Sequence, residues 1–218
     1  RGTLWPRRTV MKAIRCDTIK AILPRAGARA PARDARPSSV SRPEISVIVP
    51  TRRGGELLLD VVRRVREQRT ARELELLLVD SGSPEPELSR LAAAGARVER
   101  VDPGSFDHGL TRDHGAGLAR GEALVFLNQD ALPVDERWLE QLTEPLFAPG
   151  APAAVQGGIL EFPAAELASR GRRPFFRDSC GPRFYFTRES EKWIARHAGI
   201  GFSTLNCALR REVWRRLP

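Results

Sequence analysis

The stretch ALVFLNQDALP, residues 123 to 133, joins an apolar run to three polar residues and a closing proline. Short runs that are apolar throughout are typical of strands buried on both faces of a parallel sheet. The predicted strand ALVFLN therefore ends at Asn128, and Gln129 and Asp130 follow directly. A core strand followed by two amides and a carboxylate indicates that its carboxyl end does more than pack in the core.

Three further strands are predicted before this one, and helices alternate with them. The strands are EISVIVP (44–50), LELLLVD (74–80) and ARVERV (96–101), and the clearest helices are LLLDVVRRVREQR (57–69) and DERWLEQLTEPLF (135–147). In the first helix, Leu58, Val61, Val62 and Val65 recur at helical spacing. This alternation predicts an α/β fold, with a Rossmann-like, mostly parallel sheet flanked by helices.

Polar residues stand at the carboxyl ends of three of these strands. Thr51 follows the first strand, Asp80 closes the second, and Asn128 to Asp130 close the fourth. A single such residue is often a turn former or a helix cap. Because ligands of open parallel sheets bind beyond the carboxyl ends of the strands, the joint occurrence of these residues favours a binding site there.

The formal charge of +9 lies entirely in the first 43 residues. These hold eleven Lys or Arg against Asp17 and Asp34, whereas residues 44–218 hold 25 basic and 25 acidic residues. Residues 1–43 are also rich in Arg, Ala and Pro without a sustained period, which predicts a flexible basic leader before a domain over 44–218. The leader is either a solvated tail or a contact for anionic lipid or RNA. The neutral domain argues against a nucleic-acid groove in the folded part.

Cysteine usage and hydropathy indicate a cytoplasmic protein. Cys16, Cys180 and Cys207 are odd in number and widely spaced, which favours a reducing compartment over a disulfide framework or a zinc site. No apolar run approaches the roughly 20 residues that cross a bilayer. We therefore expect a cytoplasmic location, with peripheral contact at the inner face of the cell membrane if the basic leader binds anionic lipid.

Four segments in order resemble family 2 glycosyltransferases, the inverting enzymes with the GT-A fold. They are ISVIVPTRRGGELLLDVVRRVREQ, LELLLVDSGSPEPE, FDHGLTRDHGAGLARGEALVFLNQDALP and GFSTLNCALRREVWRRLP, and they span roughly residues 44 to 218. The phrases FDHG and QDA look like the rhamnosyltransferase branch. The resemblance implies transfer of a sugar, rhamnose or another hexose, from a nucleoside-diphosphate donor to a glycan or lipid-linked acceptor of cell-surface polysaccharide synthesis.

The resemblance also implies roles for single residues. Pro50 and Thr51 would line the nucleotide pocket, Asp80 would hydrogen-bond the base, and Arg112 would approach the nucleotide. Asn128, Gln129 and Asp130 fall where the family has its Asp-x-Asp motif, so Asn128 replaces the first acidic residue and Asp130 keeps the second. Asn128 and Gln129 would bind the donor, and Asp130 the metal. These departures, together with Asp113 in place of the family's usual amide after the arginine, make the site a variant one.

Diphosphate chemistry explains why a carboxylate belongs in this motif. A leaving diphosphate gains negative charge, which Mg²⁺ or Mn²⁺ can stabilise when it bridges a carboxylate and phosphate oxygens. We expect Asp130 to hold this cation, because such ions take their remaining ligands from phosphates and water. An inverting transfer also needs a general base, which the resemblance places beyond Pro218. The GT-A domain is therefore expected to be incomplete at its C-terminal end, and this stretch of chain is expected to bind donor and metal without turnover.

Two classes of function stay open on the sequence. The first is the glycosyltransferase described above. The alternative is a noncatalytic protein that binds nucleotide sugar or nucleic acid on the same fold, with the basic leader as an accessory contact. Deletion of residues 1–43 discriminates: loss of RNA or liposome binding with an intact donor site would favour an accessory role for the leader, and no change would favour an inert tail.

Overall fold

The computed structural model describes residues 12–23, 43–160, 183–186 and 203–216, and within these the side chains of 43–158 and 203–216. The strands are β1 (Lys12–Leu23), β2 (Ile45–Thr51), β3 (Leu74–Asp80), β4 (Arg97–Arg100), β5 (Ala123–Leu127), β6 (Ala131–Pro133), β7 (Ala154–Leu160), β8 (Arg183–Phe186) and β9 (Asn206–Arg210). The helices are α1 (Gly55–Arg66), α2 (Glu85–Ala93), α3 (His108–Leu118), α4 (Trp138–Phe147) and the short α5 (Arg211–Trp214), with a 3₁₀ turn at Pro103–Ser105.

The strands form one mixed, mostly parallel sheet. Its order is β4-β3-β2-β5-β9-β7-β1-β6, and β8 pairs with β1. β2 lies between β3 and β5 and is parallel to both, whereas β9 runs antiparallel to β5 and β7. The predicted α/β fold with a GT-A type sheet is thereby confirmed.

The central strands are buried on both faces because helices cover both sides of the sheet. Every residue of β2 and β5 is buried. One core includes Leu58 and Val62 of α1 and Trp138 and Leu142 of α4, and the second core includes Ala116 of α3. The helical spacing predicted for α1 is confirmed by the complete burial of Leu58, Val61, Val62 and Val65.

A glycine lets α3 lie close to the sheet. A Cβ atom at Gly115 would come within 2.6 Å of Ile48 Cγ2 and 3.0 Å of Val79 Cγ2. These distances leave no room for a side chain between α3 and strands β2 and β3. The close approach places the first turns of α3 near the carboxyl ends of the central strands.

β1 lies inside the segment that the sequence predicts to be a flexible basic leader. Its backbone pairs with β6 and β8 in parallel and with β7 in antiparallel orientation. Residues 1–11 and 24–42 lie outside the described part of the chain. The leader's flexibility thus stays a prediction for those two stretches, and the division into a leader and a domain stays a prediction as well.

A buried carboxylate ties the strands together at their amino ends, away from the strand ends predicted to bind a ligand. Glu75 on β3 is only 7% exposed. Ser46 Oγ and the Arg120 backbone N–H donate to Glu75 Oε1, and Arg120 Nε donates to Oε2 at 2.9 Å. Burial alone would raise the pKa of Glu75, but the hydrogen bonds from Ser46 and Arg120 and the charge of Arg120 outweigh it and lower the pKa.

Glu75→Gln is expected to reduce the free energy of unfolding by about 1–3 kcal/mol at neutral pH, because hydrogen bonds to a charged acceptor contribute on this scale. Since the folded-state pKa is lowered, this stabilisation is present above the ordinary pKa of 4.5 and is lost as the pH falls through the folded-state value. Urea unfolding at neutral pH and near pH 3 should show the difference between wild type and variant shrinking in acid. A difference that is equal at both pH values would contradict this role.

Candidate functional site

The carboxyl ends of β2 and β3 meet as the sequence predicts. Thr51 and Asp80 are register partners in the parallel ladder, and the Thr51 hydroxyl donates to Asp80 Oδ1 at 3.3 Å. Both side chains are almost fully buried, with 2% and 1% exposure. Pro50, the preceding residue, is buried opposite Val79. The strand ends therefore form one continuous edge at which the connecting loops begin.

Asp80 organises the loop that follows β3. Its Oδ2 accepts hydrogen bonds from the backbone N–H groups of Gly82 and Ser83, each at 3.0 Å. The Ser83 hydroxyl in turn accepts from the Arg53 N–H at 2.7 Å. Arg53 has a φ of 47°, in the left-handed region that side chains rarely adopt. Asp80 and Ser83 thus hold the loops after β2 and β3 against each other.

Sequence reasoning did not single out Ser83 or Arg53. The glycines that follow Arg53 mark a turn, but they do not indicate which residue takes the left-handed conformation. A serine directly after a loop glycine, as Ser83 follows Gly82, is likewise a common turn residue. Their pairing depends on the register of β2 and β3, which only the fold fixes.

Gln129 joins the loop after β5 to the loop after β2. Its Oε1 accepts from the Arg52 N–H at 2.8 Å, and its Nε2 donates to the Arg52 carbonyl at 3.4 Å. The amide is therefore engaged with the main chain of the neighbouring loop. This contact brings the NQD segment to the same edge as Thr51 and Asp80, which is the convergence that the sequence predicts.

Arg112 extends from α3 to the end of β5. Its Nη1 donates to the His108 carbonyl and its Nη2 to Asn128 Oδ1, both at 2.7 Å. The residue is only 7% exposed, and its Nε is buried without a hydrogen-bond partner in the described part of the chain. Burial lowers the pKa of Arg112, but a guanidinium stays protonated at any physiological pH. A fixed positive charge therefore lies against Asn128.

The start of α3 is fixed by Asp107. Its Oδ1 accepts from the N–H groups of Gly109 at 2.7 Å and Leu110 at 2.9 Å, which is a helix N-cap. These hydrogen bonds, from Leu110 first and then Gly109, lower the pKa of Asp107. The cap sets the first turn of α3, in which the His108 carbonyl accepts from Arg112.

Asp130 is half-buried directly after Gln129. No residue of the described chain donates a hydrogen bond to its carboxylate or forms an ion pair with it. The carboxylate is therefore available to a cation. Asn128 Oδ1 is not equally available, because it already accepts from Arg112.

The side chains around Asp130 suit a hard cation such as Mg²⁺ or Mn²⁺, which takes most of its ligands from phosphate and water. Within residues 43–158 and 203–216 no three His, Cys, Asp or Glu side chains are grouped so that they could hold a metal ion. A zinc-type cage is thus not found among these residues. Mg²⁺ and Mn²⁺ fit better, because such ions bind through one or two carboxylates together with phosphate oxygens and water.

Comparison with known proteins decides the family. The sequence profile described as Glycosyl transferase family 2 matches residues 46–217. This chain belongs to that family. Over 196 residues the chain is 30% identical to the O-antigen biosynthesis protein RfbC of Myxococcus xanthus, a match that covers 80% of this chain and 14% of RfbC. The chain thus spans a small part of the length of that relative.

Solved structures of similar fold include a crystal structure of a mycobacterial protein, with a TM-score of 0.51 and 19% identity over 78% of this chain and 54% of that one. Another is the mannosyltransferase PcManGT from Pyrobaculum calidifontis in complex with GDP-Man and Mn²⁺, with a TM-score of 0.42 and 26% identity over 53% of this chain and 36% of that one. The first of these likenesses supports the fold. None of the helices in the described ranges has the length and apolar character needed to cross a membrane.

Proposed function

We propose that this family 2 glycosyltransferase chain binds the nucleoside diphosphate of a sugar donor at the carboxyl ends of β2, β3 and β5. The convergence of Thr51, Asp80, Arg112 and the NQD segment at one edge of the sheet carries this proposal. Ligands of open parallel sheets bind at this edge. The family motifs at the same positions support a nucleotide as the ligand.

Each residue of this edge has a chemistry that suits one part of the donor. The Asp80 carboxylate would accept a hydrogen bond from the base, next to Pro50 and Thr51. The Arg112 guanidinium would bind diphosphate oxygens, and Gln129 would keep the loop in place. Asp130 would hold Mg²⁺ or Mn²⁺, which as a Lewis acid stabilises the negative charge of the leaving diphosphate.

The proposed reaction is sugar transfer with inversion. The acceptor hydroxyl oxygen bonds to the anomeric carbon, the bond from that carbon to the diphosphate oxygen breaks, and the hydroxyl proton passes to a general base. We propose rhamnose or another hexose as the sugar, on the FDHG and QDA phrases. A glycan or lipid-linked acceptor is proposed from the likeness to an O-antigen biosynthesis protein.

Isothermal calorimetry of the chain with UDP, GDP and dTDP in the presence of Mn²⁺ tests the proposal. One of the three is expected to bind with one-to-one stoichiometry. Glu75→Gln serves as the control, because Glu75 lies at the opposite end of the strands, so its donor affinity should equal that of wild type. If none of the three nucleotides binds, the donor site is refuted. For the noncatalytic alternative, deletion of residues 1–43 is informative: loss of RNA or liposome binding with an intact donor site would favour an accessory binding role for the basic leader.

A further inference from the structure

Arg112 is a buried cation that lacks a counter-ion in the part of the chain that the structure describes. Both of its hydrogen-bond acceptors, the His108 carbonyl and Asn128 Oδ1, are neutral. Among the described residues no carboxylate forms an ion pair with it. The nearby Cys207 does not supply a negative charge either, because burial raises the pKa of its thiol to about 12.

A buried guanidinium without a counter-ion is unfavourable unless a ligand supplies the opposite charge. A buried charge costs free energy when no opposite charge accompanies it, and buried donors nearly always have partners. Arg112 has both a net charge and a buried Nε that finds no partner among the described residues. Because the guanidinium cannot lose its proton, an anionic ligand is the simplest group that would compensate the charge.

Asn128 positions this cation without neutralising it. Its side-chain oxygen lies 2.7 Å from Arg112 Nη2. Its own backbone is fixed on both sides, since its N–H donates to the Leu205 carbonyl at 3.2 Å and its carbonyl accepts from Ala131 N–H at 3.1 Å. An aspartate in the same place would form a charge-assisted ion pair with Arg112 and cancel its charge.

We infer that Arg112, positioned by Asn128, is itself a cationic site for the donor's diphosphate, so that the nucleotide binds this protein without a divalent cation. A cation at Asp130 then adds to an affinity that already exists. Asn128 is the residue that sets how far binding depends on the metal. This inference rests on the proposed function, because it assigns the group that binds the same diphosphate.

The first arm of the test compares wild-type affinity in EDTA with that in Mn²⁺, by calorimetry with UDP, GDP and dTDP. Binding is expected to remain measurable in EDTA. Asn128→Asp is expected to weaken the affinity in EDTA by about tenfold or more, as for the loss of a charge-assisted interaction. The ratio of affinity in Mn²⁺ to affinity in EDTA should rise in this variant, which a purely structural role of Asn128 would not produce.

Arg112→Gln is the second variant and keeps the test valid if Asn128→Asp does not fold. It is expected to abolish binding in EDTA and to retain part of the binding in Mn²⁺ through Asp130. Arg63→Gln changes the net charge by the same one unit at an exposed position of α1 and should leave both affinities unchanged. Thermal melting of each variant verifies the fold.

The outcomes separate the two proposals. Wild-type binding that requires Mn²⁺, or unchanged affinity of both variants in EDTA, would overturn the inference and leave the proposed function standing. Absence of nucleotide binding in both EDTA and Mn²⁺ would overturn the proposed function and this inference together. Retained binding in EDTA that both variants weaken would support the assignment of Arg112 and Asn128.

Discussion

Asp130→Asn is expected to abolish the gain in nucleotide affinity that Mn²⁺ gives and to leave affinity in EDTA unchanged. Its carboxylate is half-buried and accepts no hydrogen bond from the described residues. Asp130 directly follows Gln129, whose amide is hydrogen-bonded to the main chain of Arg52. It is therefore the one group of the NQD segment that offers a charged oxygen. Since changes to groups that merely support metal ligands cost about 10–100-fold in metal affinity, loss of the proposed ligand should cost at least about 100-fold.

Calorimetry with the nucleotide that binds wild type, at increasing Mn²⁺, measures this effect. Asp135→Asn is a matched control, because Asp135 is exposed and an amide oxygen can still accept the hydrogen bond from Arg137 N–H at 2.9 Å. The control should respond to Mn²⁺ as wild type does. If Asp130→Asn keeps the full response to Mn²⁺, the cation does not bind at Asp130.

The edge of the sheet was predictable because it depends on local patterns. Each buried strand is a short apolar run, and parallel strands bring their carboxyl ends together. Thr51 and Asp80 therefore had to be neighbours once β2 and β3 paired in register. The family motifs place Arg112 and Asp130 at this edge, but their chemical surroundings do not follow from the motifs.

The contacts within the site were less predictable because they are tertiary. The hydrogen bond from Arg112 to Asn128 joins residues 16 apart in the chain, and the hydrogen bond between Arg52 and Gln129 joins residues 77 apart. Both depend on how closely α3 and the loops approach, which Gly115 and the strand register decide. That Arg112 has no counter-ion among the described residues likewise cannot be seen until its neighbours in the fold are known.

β1 illustrates the limit of local patterns in another way. Its residues, KAIRCDTIKAIL, mix charged and apolar side chains without a sustained period. Its partners, β6, β7 and β8, lie more than a hundred residues further along the chain. Strand formation depends strongly on such cross-strand neighbours, which the composition of residues 12–23 does not reveal.

Replacement of Asp80 separates its structural role from its proposed role in binding the base. Asp80→Ala leaves the N–H groups of Gly82 and Ser83 and the hydroxyl of Thr51 without their acceptor. Unsatisfied buried donors cost about 1–3 kcal/mol each, so with three of them the free energy of unfolding should fall by at least about 3 kcal/mol. The loop that carries Ser83 should loosen, and nucleotide affinity should fall with it.

Asp80→Asn keeps the loop and removes only the charge. Its amide oxygen can accept from Gly82 and Ser83, while its NH₂ group faces Thr51, whose hydroxyl can turn to accept. We expect a loss of about 1 kcal/mol in the free energy of unfolding, measured by urea titration. Nucleotide affinity should nevertheless fall by about tenfold if the base donates to this carboxylate.

Glu75→Gln provides the comparison, because it also removes a buried carboxylate charge that accepts several hydrogen bonds, but at the amino ends of the strands. It should reduce stability and leave nucleotide affinity unchanged, so a loss of affinity in Asp80→Asn cannot be attributed to lower stability. If Asp80→Asn binds the nucleotide as tightly as wild type, Asp80 serves the loop alone. The base would then be recognised by another group. Asp80 is only 1% exposed, so a ligand can contact it only where the fold opens towards it.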